Sequence, residues 1–105
     1  MPFRGKKLGI LISAAPGNPS FHHGVRLAAA ALAQGVAVYL YCIDDAVTGL
    51  EDSNLQALKE NGAHLFACAY AARERNLPTS NLATFSGLAV VSDLIASTDR
   101  FLSFN

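Results

Sequence analysis

Cys68 is the residue of this chain best placed to do chemistry. It closes the apolar run Ala63-His64-Leu65-Phe66-Ala67 and is followed at once by Ala69-Tyr70-Ala71-Ala72-Arg73. The pattern predicts a strand that stops at the thiol and a helix that starts there. At such a junction free backbone N–H groups and the positive end of the helix dipole favour the thiolate. A thiolate so placed can act as a nucleophile or carry sulfur. The competing expectation is a small buried hydrophobe, the commonest fate of a free cysteine. Ala67 and Ala69 on either side leave room for an incoming sulfur atom.

His22 and His23 are the next candidates, since an imidazole can supply positive charge or shuttle a proton. Taken singly, each is also an ordinary helix residue, one exposed and one partly buried. Adjacent histidines point in different directions on a helix, and no spaced cysteine or carboxylate set accompanies them, so no metal site is expected. Asp44-Asp45 reads as the start of a turn or a helix cap. Arg73 and Arg75 read as solvated, with Arg73, about a turn and a half beyond Cys68, able to meet an anionic partner. Ser86-Gly87 reads as a close helix-packing point. The loop Ser13-Ala14-Ala15-Pro16-Gly17-Asn18-Pro19 has one glycine and two prolines. It lacks the glycine series that brings backbone against a pyrophosphate, and it has no Walker lysine.

These residues must be positioned by alternating strands and helices. Lys7 to Ala14 is a near-continuous apolar run without helical periodicity, which predicts a buried parallel strand. Asn18-Pro19 suits an N-cap and first helical position, and Phe21, Val25, Ala28 and Leu32 recur at helical spacing up to a stop at Gly35. Val36 to Ile43 predicts the second strand. Ser53 and Gln56 suggest a capping box for a helix that ends at Gly62. His64 to Ala67 forms the third strand, and the helix after Cys68 runs to about Arg75. Leu82, Phe85, Leu88, Ala89, Ser92 and Ile95 predict a last helix, and Arg100 to Phe104 a last strand. Such alternation implies an α/β fold with a mainly parallel sheet of four to five strands and helices on both faces.

In a sheet of this kind chemistry gathers at the carboxyl ends of the strands, near the point where strand order reverses. The first loop, the two histidines, Asp44-Asp45 and Cys68 all fall on that edge. With an order beginning 2-1-3, Cys42 and Cys68 would stand two strand spacings apart, ~9.6 Å. That exceeds the ~7 Å reach of a disulfide, so no internal bridge is expected.

Composition narrows the function classes. The chain has 105 residues, 51% hydrophobic and 15% charged, which is enough apolar material for one compact domain with some left for self-association. Eight basic residues balance eight acidic ones, leaving no positive footprint for nucleic acid or an anionic membrane. The apolar run after the basic N-terminus Met1-Pro2-Phe3-Arg4-Gly5-Lys6-Lys7 is too short for an export segment, and no stretch approaches the ~18 apolar residues of a membrane span. Two distant cysteines fit a cytoplasmic protein with reduced thiols.

The segments His64 to Leu77 (HLFACAYAARERNL), Thr84-Phe85-Ser86-Gly87-Leu88 and Ser97 to Phe104 together resemble the DsrE/TusD group of sulfur-relay proteins. With the first strand, its small-residue loop and its alanine-rich helix, the resemblance covers nearly the whole chain. It implies one DsrE-like domain over 1–105, a three-layer α/β/α sandwich with flavodoxin- or Rossmann-like winding. It also implies a persulfide on the cysteine after the third strand, here Cys68. Sulfur donor and acceptor proteins would be the partners, no metal or organic cofactor is implied, and relatives assemble as trimers or hexamers. His22, His23, Tyr70, Arg73 and Ser86 are the candidate site-shaping residues. This chain departs from longer members in a compressed connection after the second strand and a short segment between Pro78 and Ser86. The alternative is a non-catalytic oligomeric or small-ligand-binding subunit of the same fold.

Overall fold

The computed structural model describes residues 3–105; Met1 and Pro2, the first residues of the basic N-terminus, lie outside them. In chain order the elements are β1 (Lys7–Ile12), α1 (Pro19–Ala33), β2 (Ala37–Cys42), a 3-10 helix (Asp44–Gly49), α2 (Ser53–Glu60), β3 (His64–Cys68), α3 (Ala69–Glu74), β4 (Thr84–Ser86), α4 (Ala89–Ser97) and β5 (Arg100–Phe104). The five strands form one sheet in the order β4-β3-β2-β1-β5, and every pairing is parallel. The architecture is the expected three-layer α/β/α sandwich.

Two observations assign the layers. Gly24 of α1 packs against Ile12 and Phe104, whereas Gly9 faces Phe101 and Thr98 at the end of α4. Ile12 and Gly9 are an odd number of residues apart on β1, so they point to opposite faces. Hence α1 and α4 cover opposite sides. The β1–β2, β2–β3 and β3–β4 crossovers each step one strand the same way, and right-handed connections put α1, α2 and α3 on one face. The β4–β5 connection crosses back over the sheet, leaving α4 alone on the other. The α1 face is the fully buried core, holding Ile10, Ile12, Val38, Leu40, Cys42, Leu65 and Ala67. On the α4 face, Leu11, Tyr39 and Phe66 are only half-buried and His64 is exposed. Tyr39 and His64 stack there with ring centroids 4.6 Å apart.

Local signals worked as read in α1. The Asn18 side chain accepts from the Ser20 N–H at 2.9 Å, Pro19 follows, and Phe21, Val25 and Ala28 are buried. Gly35 and Gly62, with φ of +83° and +107°, end the helices before β2 and β3.

Four expectations change. The strand order is not one beginning 2-1-3: β3 pairs with β2, and reversal occurs between β1 and β5. The two cysteines therefore stand on adjacent strands. Cys42 pairs with Ala67, so it shares that residue's face, while Cys68, next along β3, turns to the other. Both cysteines are free and buried. The cap of α2 is Asp52, whose carboxylate accepts from the Asn54 and Leu55 N–H groups at 3.1 Å. Gln56 instead donates to the Leu50 and Leu82 carbonyls, tying the approach to β4 onto the body of the fold. Finally, the apolar stripe from Leu82 is not one helix. Thr84–Ser86 is a short edge strand, and α4 begins at Ala89 with Leu94 as its buried residue while Ser92 and Ile95 face outward.

Candidate functional site

Cys68 ends β3 and is the N-cap of α3. Its Sγ accepts a hydrogen bond from the Ala71 N–H at 3.4 Å. The residue is 3% exposed, and Ala67, Ala71 and Ala72 near it in the chain are buried as well. The junction of strand, thiol and helix is thus the one the sequence predicts.

Two hydroxyls complete its surroundings. In the β3–β4 register Cys68 is the partner of Ser86, so the two side chains lie on the same face at neighbouring strand ends. Tyr41 of β2 is fully buried on that same face. Its side chain passes the carboxyl end of β3, and its O–H donates to the Ser86 and Gly87 carbonyls at 3.1 and 3.2 Å. Burial pushes the Tyr41 hydroxyl up to about 12; the Ser86 side chain pulls it the other way, and the neighbouring Cys68 adds to the rise. The Ser86 Oγ is buried and close enough to the Tyr41 hydroxyl to affect it, but it meets no partner among the described residues in hydrogen-bonding geometry. Cys68 Sγ, Tyr41 Oη and Ser86 Oγ therefore converge at the carboxyl ends of three adjacent strands. Cys42 sits on the opposite face in a purely apolar setting, and burial pushes its thiol up to about 12. One cysteine has polar company; the other is packing.

The remaining candidates are distributed differently from expectation. Tyr70 and Arg73 are on α3, one helical turn apart and both exposed, Tyr70 at 63%. Arg73 lines a shallow groove with Ala69, Ala72 and Asn76. Arg75 is not simply solvated: it pairs with Asp45 at 2.9 Å and also donates to the Ala71 carbonyl, holding α3 against the 3-10 helix. Asp44 and Asp45 do open a turn, with Asp44 at φ +53°. Ser86-Gly87 does not mediate helix packing. A Cβ on Gly87 would meet nothing within 4 Å, and its carbonyl serves Tyr41.

His22 and His23 do not join the cysteine. They follow β1, which β2 separates from β3, a gap of ~9.6 Å between strand axes. The His22 ring stands edge-on to Phe21, and His23 is exposed. The crevice at the order reversal holds Ser13, whose Oγ donates to the Asn105 side chain at 2.9 Å.

Tyr41 was not among the residues singled out from sequence. A signal for it existed. A tyrosine inside a parallel strand buried on both faces must find a partner for its O–H, and that partner marks a polar spot in the core. The group can bind and orient a sulfur atom. A thiol lies beside one backbone N–H donor and two hydroxyls.

No curated protein matches the sequence. The profile of the DsrE/DsrF-like family matches residues 6–104. Among solved structures, the crystal structure of the ychN protein from E. coli is similar, with a TM-score of 0.80 and 25% identity over 94% of this chain and 99% of that one. With a profile match that runs from before β1 to the end of β5, this chain belongs to the DsrE/DsrF-like family.

Proposed function

We propose that this protein is a sulfur-relay protein, a sulfurtransferase that carries a persulfide on Cys68. The observation that carries the reading is the polar cluster around Cys68 at the end of β3, in a chain whose family match spans the site. In the forward step the Cys68 thiolate attacks the outer sulfur of a donor persulfide, R–S–SH. A bond forms between Sγ and that sulfur, the donor's S–S bond breaks, and the donor leaves as R–S⁻ with no net oxidation. An acceptor thiolate then repeats the exchange on the outer sulfur and releases Cys68. Rates depend on thiolate fraction, leaving group and access.

Access is the demanding part. The thiol is 3% exposed, but the elements around it are short, α3 being the shortest α-helix at six residues and β4 the shortest strand at three. Local opening costs least where few contacts are made. Gly87 is exposed and has open space beside it, which makes the β4–α4 corner the natural entry. Tyr70, Arg73 and Ser86 shape the approach, while His22 and His23, which follow β1 beyond β2, stand apart from it.

The relay works between donor and acceptor proteins, in a cytoplasmic homo-oligomer, trimer or hexamer, of one DsrE-like domain over 1–105. Self-association is supported by Leu88 at the N-cap of α4 and Ile95 on it, each 57% exposed, beside the half-covered β2–β3–β4 face. No helix among the described residues is long and apolar enough to cross a membrane.

One observation favours a second reading, a non-catalytic subunit: the burial of Cys68 itself. Loading with glutathione persulfide followed by cyanolysis separates them. Cys68→Ser is expected to release no thiocyanate while keeping fold and assembly, and Cys42→Ser to release as much as wild type. Equal release from Cys68→Ser and wild type would rule the relay out.

A further inference from the structure

We propose that the Ser86 hydroxyl is the docking point of the outer persulfide sulfur, and that Tyr41 is the strut that keeps it there. This deepens the relay reading and rests on it.

Ser86 is the register partner of Cys68, so their side chains stand side by side on one face of adjacent strands, ~4.8 Å apart at the backbone. A second sulfur bonded to Sγ extends ~2 Å beyond it. Directed toward β4, that atom arrives beside Ser86 Oγ. The thiol state leaves this hydroxyl buried and without a partner among the described residues, which is costly for a polar group and calls for an explanation. A persulfide is more acidic than a thiol, so its outer sulfur is anionic near neutrality and requires a donor.

The two hydroxyls divide the work. Tyr41 has a single hydrogen, and it is committed to the Ser86 and Gly87 carbonyls. It cannot also donate to sulfur. Ser86 Oγ lies near enough to the Tyr41 oxygen to lower that hydroxyl's pKa, but it has no partner in hydrogen-bonding geometry among the described residues, so its hydrogen is the one that can turn to sulfur. What Tyr41 does is fix the backbone of residues 86 and 87, and with it the direction of the Ser86 side chain. Ala71 N–H already serves the inner sulfur. Each sulfur of the persulfide thus has its own donor, from α3 and from β4.

The test is the pH midpoint of outer-sulfur alkylation by iodoacetamide, measured on protein preloaded with glutathione persulfide. The donor favours the anion, so Ser86→Ala is expected to raise the midpoint by about one pH unit, tenfold in anion population. Ser86→Thr, which keeps the hydroxyl, is expected to restore it. Tyr41→Phe should raise it by less, because the donor survives but is no longer aimed. The thiol form of Ser86→Ala should be at least as stable as wild type, since the substitution removes an unpaired buried group. An unmoved midpoint in a Ser86→Ala protein that loads normally would overturn this assignment and leave the relay standing. A marked loss of stability in unloaded Ser86→Ala would overturn it too, by revealing a structural partner for the hydroxyl. Wild-type protein that takes up no sulfur would overturn both.

Discussion

Replacing Tyr41 with phenylalanine removes one oxygen from the centre of the site and should leave a signature in how stability depends on pH. The hydroxyl is fully buried and donates to the Ser86 and Gly87 carbonyls at 3.1 and 3.2 Å. Losing it near neutrality costs about 1–2 kcal/mol, the net value of a shared hydrogen bond plus the penalty of carbonyls left short of a donor. For a domain near this size that is a drop in Tm of roughly 4–12 °C. The same hydroxyl becomes a liability in alkali. Its pKa rises from 10.0 to about 12 on folding, so the folded state holds the proton more tightly than the unfolded chain. Stability from this group is complete below pH 10 and is lost as pH climbs through 12. At pH 11 the loss is about 1.4 kcal/mol in wild type and zero in Tyr41→Phe. Cys42 is present in both proteins, so its own alkaline titration cancels in the comparison. Urea unfolding followed by circular dichroism at pH 7 and pH 11 should therefore show the gap between the proteins nearly closing at the higher pH. A gap that stays constant or widens would refute the placement of Tyr41 as a buried, proton-holding hydroxyl.

Two further substitutions probe the frame that positions the cluster. Gly49→Ala would set a Cβ 2.8 Å from the ring of Phe21, which is fully buried and cannot withdraw, and 3.1 Å from Pro16; overpacking of this kind should cost about 1–3 kcal/mol in urea unfolding. Asp52→Ala removes the cap of α2 and should cost about 1 kcal/mol, with Asp52→Asn retaining most of it.

Much of the frame was legible because its signals are local. Asn18-Pro19, the glycines after α1 and α2, and the β-branched and aromatic run of β2 each specify their own conformation. Cys68 could be placed between a strand and a helix for the same reason. What could not be read depended on long-range partners. Strand order is set by which faces the helices cover, and nothing local distinguishes a β3 beside β1 from a β3 beside β2. The strand Thr84–Ser86 is three residues at a sheet edge, too short to show a period, and its neighbours Leu82 and Leu88 happen to lie at helical spacing. Gln56 looked like the second half of a capping box because its true acceptors include Leu82, 26 residues away. Tyr41 escaped notice because its meaning comes from Ser86 and Gly87, 45 and 46 residues on. The two histidines stood out by residue type, but their helix follows a strand that β2 separates from the cysteine's.

The central claim is that Cys68 holds transferable sulfur, and intact-protein mass spectrometry after incubation with glutathione persulfide tests it most directly, with peptide mapping to locate any addition. The prediction is a reducible gain of one sulfur mass on the peptide containing Cys68 and none on the peptide containing Cys42. No gain, together with a Cys68 that resists alkylation in the native protein, would contradict it and make the thiol a packing residue of a structural subunit.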